Sequence, residues 1–243
     1  MADKNIEIKL KGVRLSFLHA FEPQKFVDKD TGVVRWSYNT NILVPKKLED
    51  GSKNPMVKVL SEAMKEVIEA KWPGQEKKIP TERRCVRDGE PIDQDTVDSD
   101  VPGSGSRYAL YDGYEGHYYV SAAQAVESET SPNPVQLLGP KKTAKREDGT
   151  PCFPRIRKED GLLYSGCWAD VIIRVYAYDG TKNNYPNRVN ASLEAIKFVR
   201  HGEAFSAKPI DADAAFDEEE DDEGFNGSGP AAASRPADDD GIG

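Results

Sequence analysis

Residues 167–178 read Cys-Trp-Ala-Asp-Val-Ile-Ile-Arg-Val-Tyr-Ala-Tyr, and this stretch decides the fold class. Small or branched apolar side chains occupy every odd position from Ala169 to Ala177, while most even positions carry charged or aromatic side chains. An alternation of period two predicts a β-strand that turns one face to a core and the other face outward. We therefore expect a chain built mainly from β-strands.

Three further segments show the same alternation. Residues 4–18 alternate with a change of phase at Gly12, which predicts a long strand bent by a β-bulge. Residues 33–44 alternate again and predict a second strand. Residues 187–199 fit a last strand, although their apolar spacing also fits a helix.

One helix is predicted between these strands. Asn54 is a good N-cap, Pro55 suits the first helical position, and apolar residues then recur every three or four positions up to Trp72. For the rest of the chain we predict a loop at 86–106, a pair of strands at 107–124, a short strand at 135–138 and a basic loop at 139–160. Several strands with one main helix predict a mainly β protein, either a curved antiparallel sheet or a small barrel.

Charge divides the chain into two parts. Residues 211–243 hold twelve acidic residues and one arginine, so they carry −11, whereas the whole chain carries −9 and the first 210 residues therefore +2. A run of like charges repels itself and buries nothing, so it does not fold alone. We expect a folded domain over residues 1–205 and a flexible acidic tail over residues 206–243. The near-neutral body remains compatible with a nucleic-acid partner.

The sequence disfavours several function classes. It has neither an apolar stretch of about 18 residues nor a signal peptide, so we expect a cytoplasmic protein with no membrane partner. The three cysteines and three histidines lack the spacing of a metal site, so we predict no metal. The sequence also has no P-loop, no GxGxxG after a strand and no nucleophile elbow in its usual context, so we predict no cofactor and no enzyme. One catalytic alternative stays open, a metal-dependent nuclease that uses acids such as Asp112 and Asp170.

Aromatic residues on predicted strands lie beside basic residues. This combination binds single-stranded nucleic acid, because bases stack on rings while Lys and Arg hold the phosphates. The candidates in the first half of the chain are Arg35, Trp36, Tyr38, Arg107, Tyr108, Tyr111 and Tyr114. The candidates in the basic loop are Lys141, Lys142, Lys145, Arg146, Phe153, Arg155, Arg157 and Lys158. Each ring taken singly fits core packing as well, so the prediction depends on the set.

Several stretches resemble a family of phage-encoded OB-fold single-stranded-DNA-binding proteins. They are Gly-Val-Arg-Leu-Ser-Phe at 12–17, Ala-Phe-Glu-Pro at 20–23, Tyr-Asp-Gly-Tyr-Glu-Gly-His-Tyr-Tyr-Val-Ser-Ala at 111–122, and the strands at 165–178 and 189–200. The resemblance covers residues 5–205. It implies an OB-like barrel that binds single-stranded DNA without sequence preference, an acidic C-terminal tail, and a role in phage DNA replication, recombination or repair. A standard OB-fold places its helix after three strands, whereas the predicted helix follows two.

The tail resembles a polyanion such as DNA. We predict that it competes with DNA for the protein's own basic groove and contacts replication or recombination proteins. The residues assigned to these contacts are Phe216, Asp217, Glu218, Glu219, Glu220, Asp221, Asp222, Glu223 and Phe225. A phage-encoded protein would act in the host cytoplasm, and exposed strand edges would allow a homodimer. A further alternative is an interaction protein whose tail mimics DNA to inhibit a host factor.

Overall fold

A computed structural model describes residues 4–28, 32–76, 79–90, 111–181 and 185–205 of the chain. Within these ranges the strands are β1 (Asn5–Val27), β2 (Val34–Pro45), β3 (Val86–Asp88), β4 (His117–Val126), β5 (Gln136–Leu138), β6 (Ala144–Lys145), β7 (Pro151–Cys152), β8 (Trp168–Tyr178) and β9 (Arg188–Arg200), with helix α1 (Pro55–Lys71) between β2 and β3. The described residues all belong to one compact unit, Met1–Ala207. The domain boundary at residue 205 stays a prediction, because the residues after it lie outside the described ranges.

Five strands close into a barrel. β1 pairs with β2 and β8, β2 pairs with β4, and β8 pairs with β9, all antiparallel. The barrel closes where β4 meets β9 in parallel, at Ala122 and Ala191. Counted along the chain, the barrel strands are therefore ordered 1-2-3-5-4 with the first beside the fourth. This is a Greek-key barrel of the OB type, so the predicted fold class is confirmed.

The bend predicted in the first strand is present. The pairing of β1 with β8 shifts register between Leu10 and Val13, and Gly12 has a φ of +57° at this point. Glycine adopts this backbone conformation at little steric cost, which explains why the bulge coincides with it. The Gly12 N–H donates a 3.0 Å hydrogen bond to the Asp170 carboxylate of β8, so the bulge is tied to the neighbouring strand.

The barrel interior is apolar, as the alternation predicts. The side chains of Ala169, Val171, Ile173 and Val175 on β8 are fully buried, and α1 adds four buried residues to the same core, Leu60, Ala63, Val67 and Ile68. Burial of a branched apolar side chain contributes roughly 1.5–3 kcal/mol, so these inward faces fix which side of each strand points out.

The predicted helix is confirmed, including its capping. The Asn54 side chain accepts a 3.0 Å hydrogen bond from the Met56 N–H, and the helix ends before Trp72. Among the described residues, no helix has the length and apolarity needed to cross a membrane. α1 lies between the second and third barrel strands, so the barrel departs from the usual helix position in an OB-fold.

Three segments differ from their predictions. Residues 111–116 form turns rather than a strand, because Gly113 and Gly116 both adopt positive φ, so β4 is the one strand described in the predicted pair at 107–124. The predicted loop at 86–106 begins with β3, whose three residues are too few to show a period. The basic loop at 139–160 contains the β6–β7 hairpin. Residues 91–110 lie outside the described residues.

Two further predictions concern the last strand and the sheet edges. Residues 188–200 form a strand, β9, and not a helix. In the described part of the chain, the outer strands of the main sheet are β3 and β5, each three residues long. The homodimer expected from exposed edges stays a prediction.

Candidate nucleic-acid interface

A groove of about 1350 Å³ crosses the barrel surface over β1, β2, β4, β8 and β9. Its floor consists of small or polar side chains that point away from the core: Ser37, Asn39 and Asn41 of β2, and Ser121, Ala123 and Ala125 of β4. None of these six side chains is larger than that of asparagine, so no large side chain projects from this part of the groove. The groove lies on the face of the second and third barrel strands, which binds oligonucleotides in OB-folds.

The polar side chains of the floor are hydrogen-bonded to protein groups. Asn41 donates to the Tyr114 hydroxyl at 2.8 Å and accepts from the Ser121 hydroxyl at 2.9 Å. Asn39 donates to the Gln24 side-chain oxygen at 3.2 Å. Because these groups already have partners, they are poorly placed to read the hydrogen-bonding edges of bases.

Cations outnumber acids along the groove. Among the described residues that line it, the cations are Arg35, Lys71, Arg83, Arg84, Arg87, Arg174 and Arg188, and the acids are Glu82, Asp179 and Glu194. A concave surface with an excess of one charge concentrates the field and attracts ions of the opposite sign. The groove is therefore suited to a polyanion.

Several of these arginines already have protein partners. Arg84 donates to the backbone oxygens of Ile79 and Glu76, both at 2.9 Å, so it braces its own loop. Arg174 lies 3.7 Å from the Glu194 carboxylate. Arg35 donates to the Tyr185 hydroxyl at 3.0 Å.

Arg87 and Arg188 differ from the others. The Nε atom of each is buried and has no hydrogen-bond partner in the described part of the chain. The Arg87 guanidinium carbon lies 5.3 Å from the centre of the Tyr119 ring, which orients it. A buried donor without an acceptor costs roughly 1–3 kcal/mol, and binding of an anion oxygen would remove this cost. The two side chains are therefore the best-prepared anion ligands in the groove.

Exposed rings stand at one margin of the groove. Phe17, Phe26 and Tyr111 are 38%, 47% and 51% exposed, and Phe17 meets Tyr111 edge-to-face with 5.0 Å between ring centres. Phe17 has a φ of +49°, a conformation that costs a non-glycine residue of order 1–3 kcal/mol and is common at functional sites. The strained backbone turns the Phe17 ring outward, whereas strand alternation would bury it. Such rings can stack on bases.

Comparison with known proteins identifies the family of the chain. A family model for the single-stranded-DNA-binding protein of Enterobacter phage Enc34 matches residues 6–226. The chain belongs to this family. The family resemblance seen in the sequence is thereby confirmed.

The similarity to individual relatives and solved structures covers most of the chain. Protein p50 of Acyrthosiphon pisum secondary endosymbiont phage 1 is 27% identical in an alignment of 225 residues that covers 88% of this chain and 94% of the relative. The solved structure of the Enc34 protein has a TM-score of 0.52 at 21% identity and covers 86% of this chain and 89% of its own. The same protein in complex with single-stranded DNA has a TM-score of 0.51 at 21% identity, with coverages of 82% and 89%. At this identity the solved structures support the barrel fold.

Two of the predicted stacking residues of this Enc34-family chain lie in the core instead. Tyr38 is 3% exposed and donates from its hydroxyl to the Ser131 oxygen at 3.2 Å, and burial raises the pKa of Tyr38. Tyr114 is fully buried in a cluster with Leu43 and Tyr119. An enclosed ring has no free face for a base, so the stacking role is corrected for both residues.

The other predicted residues fall in three places. Arg35 and Tyr111 line the groove, whereas Trp36 lies on the opposite face of β2, half-buried, with the Lys25 ammonium 5.8 Å from its ring centre. The candidates of the basic loop are described but do not line the groove. Arg107, Tyr108 and the tail candidates from Phe216 to Phe225 lie outside the described residues.

Phe17, Arg87 and Arg188 were missed by sequence reasoning. Phe17 continues the alternation of Val13 and Leu15, and only the register shift after Ser16 turns it outward. Arg87 lies in a segment predicted to be a loop. A usable signal did exist in β8, where Arg174 and Tyr176 share the outward face predicted from alternation, and both line the groove.

The two acids of the nuclease alternative do not form a metal site in the described structure. Asp170 accepts from the Gly12 N–H and lies 2.7 Å from the Lys197 ammonium. Burial alone would raise the pKa of Asp170, but the hydrogen bonds from Lys197 and Gly12 and the charges of Lys197 and Lys9 together lower it. Asp112 lies in a turn, and the described residues contain no group of three His, Cys, Asp or Glu side chains placed to hold a metal.

Proposed function

We propose that this protein binds single-stranded DNA, without sequence preference, in the groove over β2 and β4. The observation that carries the proposal is the pair of buried, unpartnered Nε atoms of Arg87 and Arg188 in a groove bordered by exposed rings. A phosphate oxygen bound in the groove would supply the acceptor that each Nε–H lacks, in a charge-assisted hydrogen bond. The solved complex of the Enc34 protein with single-stranded DNA supports the same class of ligand.

The expected lack of sequence preference follows from how the groove makes its contacts. Phosphates are common to every nucleotide, and every base has a face that stacks on Phe17, Phe26 or Tyr111. The two amides of the groove floor, Asn39 and Asn41, already bond protein groups. A duplex hides its base faces, so it offers the phosphates without the stacking.

Binding assays with the full chain test this proposal. We expect fluorescently labelled single-stranded oligonucleotides of different sequence to bind with similar affinity, and duplex DNA of equal length to bind more weakly. A parallel incubation with Mg²⁺ or Mn²⁺ should leave the strand intact, whereas cleavage would favour the nuclease. Absence of single-strand binding at about 50 mM salt, where phosphate contacts are strongest, would refute the proposal.

We also propose a cellular role, which is more specific than the family assignment. A protein of this kind would act in phage DNA replication, recombination or repair in the host cytoplasm, with the acidic tail contacting partner proteins and competing for the groove. The position of Phe205, the last described residue, supports the proposed competition between the tail and DNA. Phe205 donates from its N–H to the Ser165 oxygen at 3.1 Å, and its ring packs against Gly113, two residues from Tyr111 of the groove.

The reach of the chain after Phe205 is sufficient for this competition. The acidic run begins at Asp217, twelve residues farther on, and twelve residues extend to at most about 40 Å. The chain therefore needs no rearrangement of the barrel to bring negative charge to the groove.

Removal of the tail tests its role separately. Deletion of residues 211–243 should tighten single-strand binding at about 50 mM salt, and the difference should shrink as salt screens the tail. A matched control keeps the tail length and replaces its twelve acidic residues with Asn and Gln; it should behave like the deletion. Equal affinity of all three proteins at low salt would refute the competition.

A further inference from the structure

A second cationic surface lies outside the groove, on residues 139–160, which we call the basic arm. Its seven cations are all exposed: Lys141, Lys142, Lys145, Arg146, Arg155, Arg157 and Lys158. Within the described part of the chain, Lys158 alone among them is in an ion pair, with Glu22 at 2.7 Å. The other six cations make no ion pair with a described residue; the arm also carries four exposed acids, Glu147, Asp148, Glu159 and Asp160, so its net charge is +3.

The basic arm is fixed to the barrel by its return segment. The Ile156 N–H donates to the Leu137 oxygen of β5 at 3.0 Å, and the Gly139 N–H donates to the Pro154 oxygen at 2.9 Å. The Ile156 side chain is buried in the barrel core. The return segment of the arm is therefore held at a defined place on the barrel, and the charged side chains start from a fixed backbone.

One aromatic ring joins the basic arm to the outer face of the barrel. Two ammonium groups lie near the Phe153 ring, with Lys142 of the arm at 5.7 Å and Lys197 of β9 at 5.4 Å from its centre. Its side chain is only partly buried. A partly open ring flanked by cations is the combination that binds one base and its phosphates.

The basic arm and the groove meet the same outward face of β8 and β9. Asp170, which pairs with Lys197 beside Phe153, and Arg174, which lines the groove, are four residues apart on β8 and point to the same side. Four residues of a strand span roughly 13 Å. The acids of β8 and β9 are Asp170 and Glu194, and each has a cation as partner, so they present little net repulsion to a polyanion.

We infer that the basic arm is a second contact site for the same DNA strand, which extends the path of the strand beyond the groove along the outer face of β8 and β9. This inference rests on the proposed function, since it assumes that the groove holds single-stranded DNA. The arm would contribute mainly phosphate contacts, through flexible exposed lysines, and one stacking contact at Phe153. Only a strand longer than the groove would reach it.

The length of the oligonucleotide therefore separates the two sites. We would compare the full-length chain with a variant carrying Lys141→Gln, Lys142→Gln and Lys145→Gln, using oligothymidylates of about 6 and about 20 nucleotides, within and beyond the range of a single OB-fold. The control carries Lys47→Gln, Lys53→Gln and Lys65→Gln, which removes three equally exposed charges from the β2–α1 connection and α1. Circular dichroism would check that both variants fold.

The salt dependence gives the expected size of the effect. Each phosphate contact on a single strand adds about 0.7 to the slope of log affinity against log salt, so loss of three contacts lowers the slope by about 2. Between 50 and 200 mM salt, the wild type should lose about twentyfold more affinity for the long strand than the arm variant does. For the short strand, arm variant, control and wild type should agree within about twofold.

Two results would overturn the inference. If the arm variant matches the control on the long strand, the arm makes no contact with DNA. If it loses as much affinity for the short strand as for the long one, the arm belongs to the same footprint as the groove and is not a second site. Failure of the wild type to bind either strand would instead refute the proposed function.

Discussion

The groove and the basic arm both present cations, but they hold them in different ways. Arg87 and Arg188 extend from paired strands, and their Nε atoms are buried. The lysines of the arm are exposed and lie on or beside the β6–β7 hairpin, whose strands have only two residues each. A rigid, half-buried guanidinium selects ligands by geometry, whereas an exposed ammonium mainly supplies charge. The groove should therefore fix the strand in place, and the arm should add affinity that salt removes.

Replacement of both groove arginines should have the largest effect. A hydrogen bond to a charged group contributes roughly 1.5–3 kcal/mol, so Arg87→Gln with Arg188→Gln should weaken binding of a short oligonucleotide by about 3 kcal/mol or more. The matched control, Arg155→Gln with Arg157→Gln, removes two exposed arginines of the arm. Fluorescence anisotropy titrations would measure both variants.

Arginine-to-lysine exchange sharpens the same comparison. Arg87→Lys with Arg188→Lys keeps the charge but loses the planar donor geometry, so most of the loss should remain. In the arm, Arg155→Lys with Arg157→Lys should change little. If lysine restores full affinity in the groove, then the groove acts by charge alone and does not differ from the arm.

The stacking rings should have the next largest effect. Phe17→Leu or Tyr111→Leu should each weaken binding by roughly 1–3 kcal/mol, because a stacked base loses its aromatic partner. Tyr38→Phe is the control on the buried face of β2. It should leave binding unchanged and lower the free energy of unfolding by about 1 kcal/mol, since it loses one hydrogen bond to Ser131. Unchanged binding of both groove variants would show that the exposed rings do not stack.

The ion pair between the two regions should make stability depend on pH. The pKa of Asp170 is lowered in the folded protein, so its contribution to stability is complete above the unfolded value of about 4 and is lost as pH falls through the lower folded value. Asp170→Asn should therefore reduce the loss of stability on acidification below about pH 4. Urea unfolding between about pH 3 and 6 would measure it. Parallel curves for the two proteins would exclude a role for this carboxylate.

The smallest effect is expected at Tyr185, whose hydroxyl links Arg35 of the groove to Asp28. The Tyr185 hydroxyl accepts from Arg35 at 3.0 Å and donates to the Asp28 carboxylate at 3.3 Å. Tyr185→Phe should free the Arg35 guanidinium and weaken binding by about 1 kcal/mol or less, because the charge remains. Competition titrations against wild type would resolve this difference. A loss as large as that of the arginine pair would mean that Tyr185 itself contacts the strand.

The barrel was largely predictable because its strands are buried on one face only. Alternation located β1, β2, β8 and β9, the phase change at Gly12 located the bulge, and Asn54 with Pro55 located the helix start. Short elements such as β3 were not predictable, since three residues show no period. The closure of β4 on β9 is a contact between distant segments that no local pattern encodes.

The site was only partly predictable, since local sequence does not decide which face of β2 points inward. Its aromatic face, with Trp36 and Tyr38, resembles a stacking platform, yet large rings release the most free energy when buried, and Tyr38 is in the core. The groove uses the opposite face with Arg35, Ser37 and Asn39. Alternation alone would place Phe17 in the core, but a register shift turns it toward the groove.

The location of the bound strand tests the central claim most directly. An oligonucleotide carrying bromodeoxyuridine would be bound to the full-length protein, irradiated, and the crosslinked peptides mapped by mass spectrometry. We predict crosslinks at Phe17, Phe26 and Tyr111, with loss of the signal in the Arg87→Gln, Arg188→Gln protein. Crosslinks confined to residues away from the groove, such as Trp36, would contradict the account.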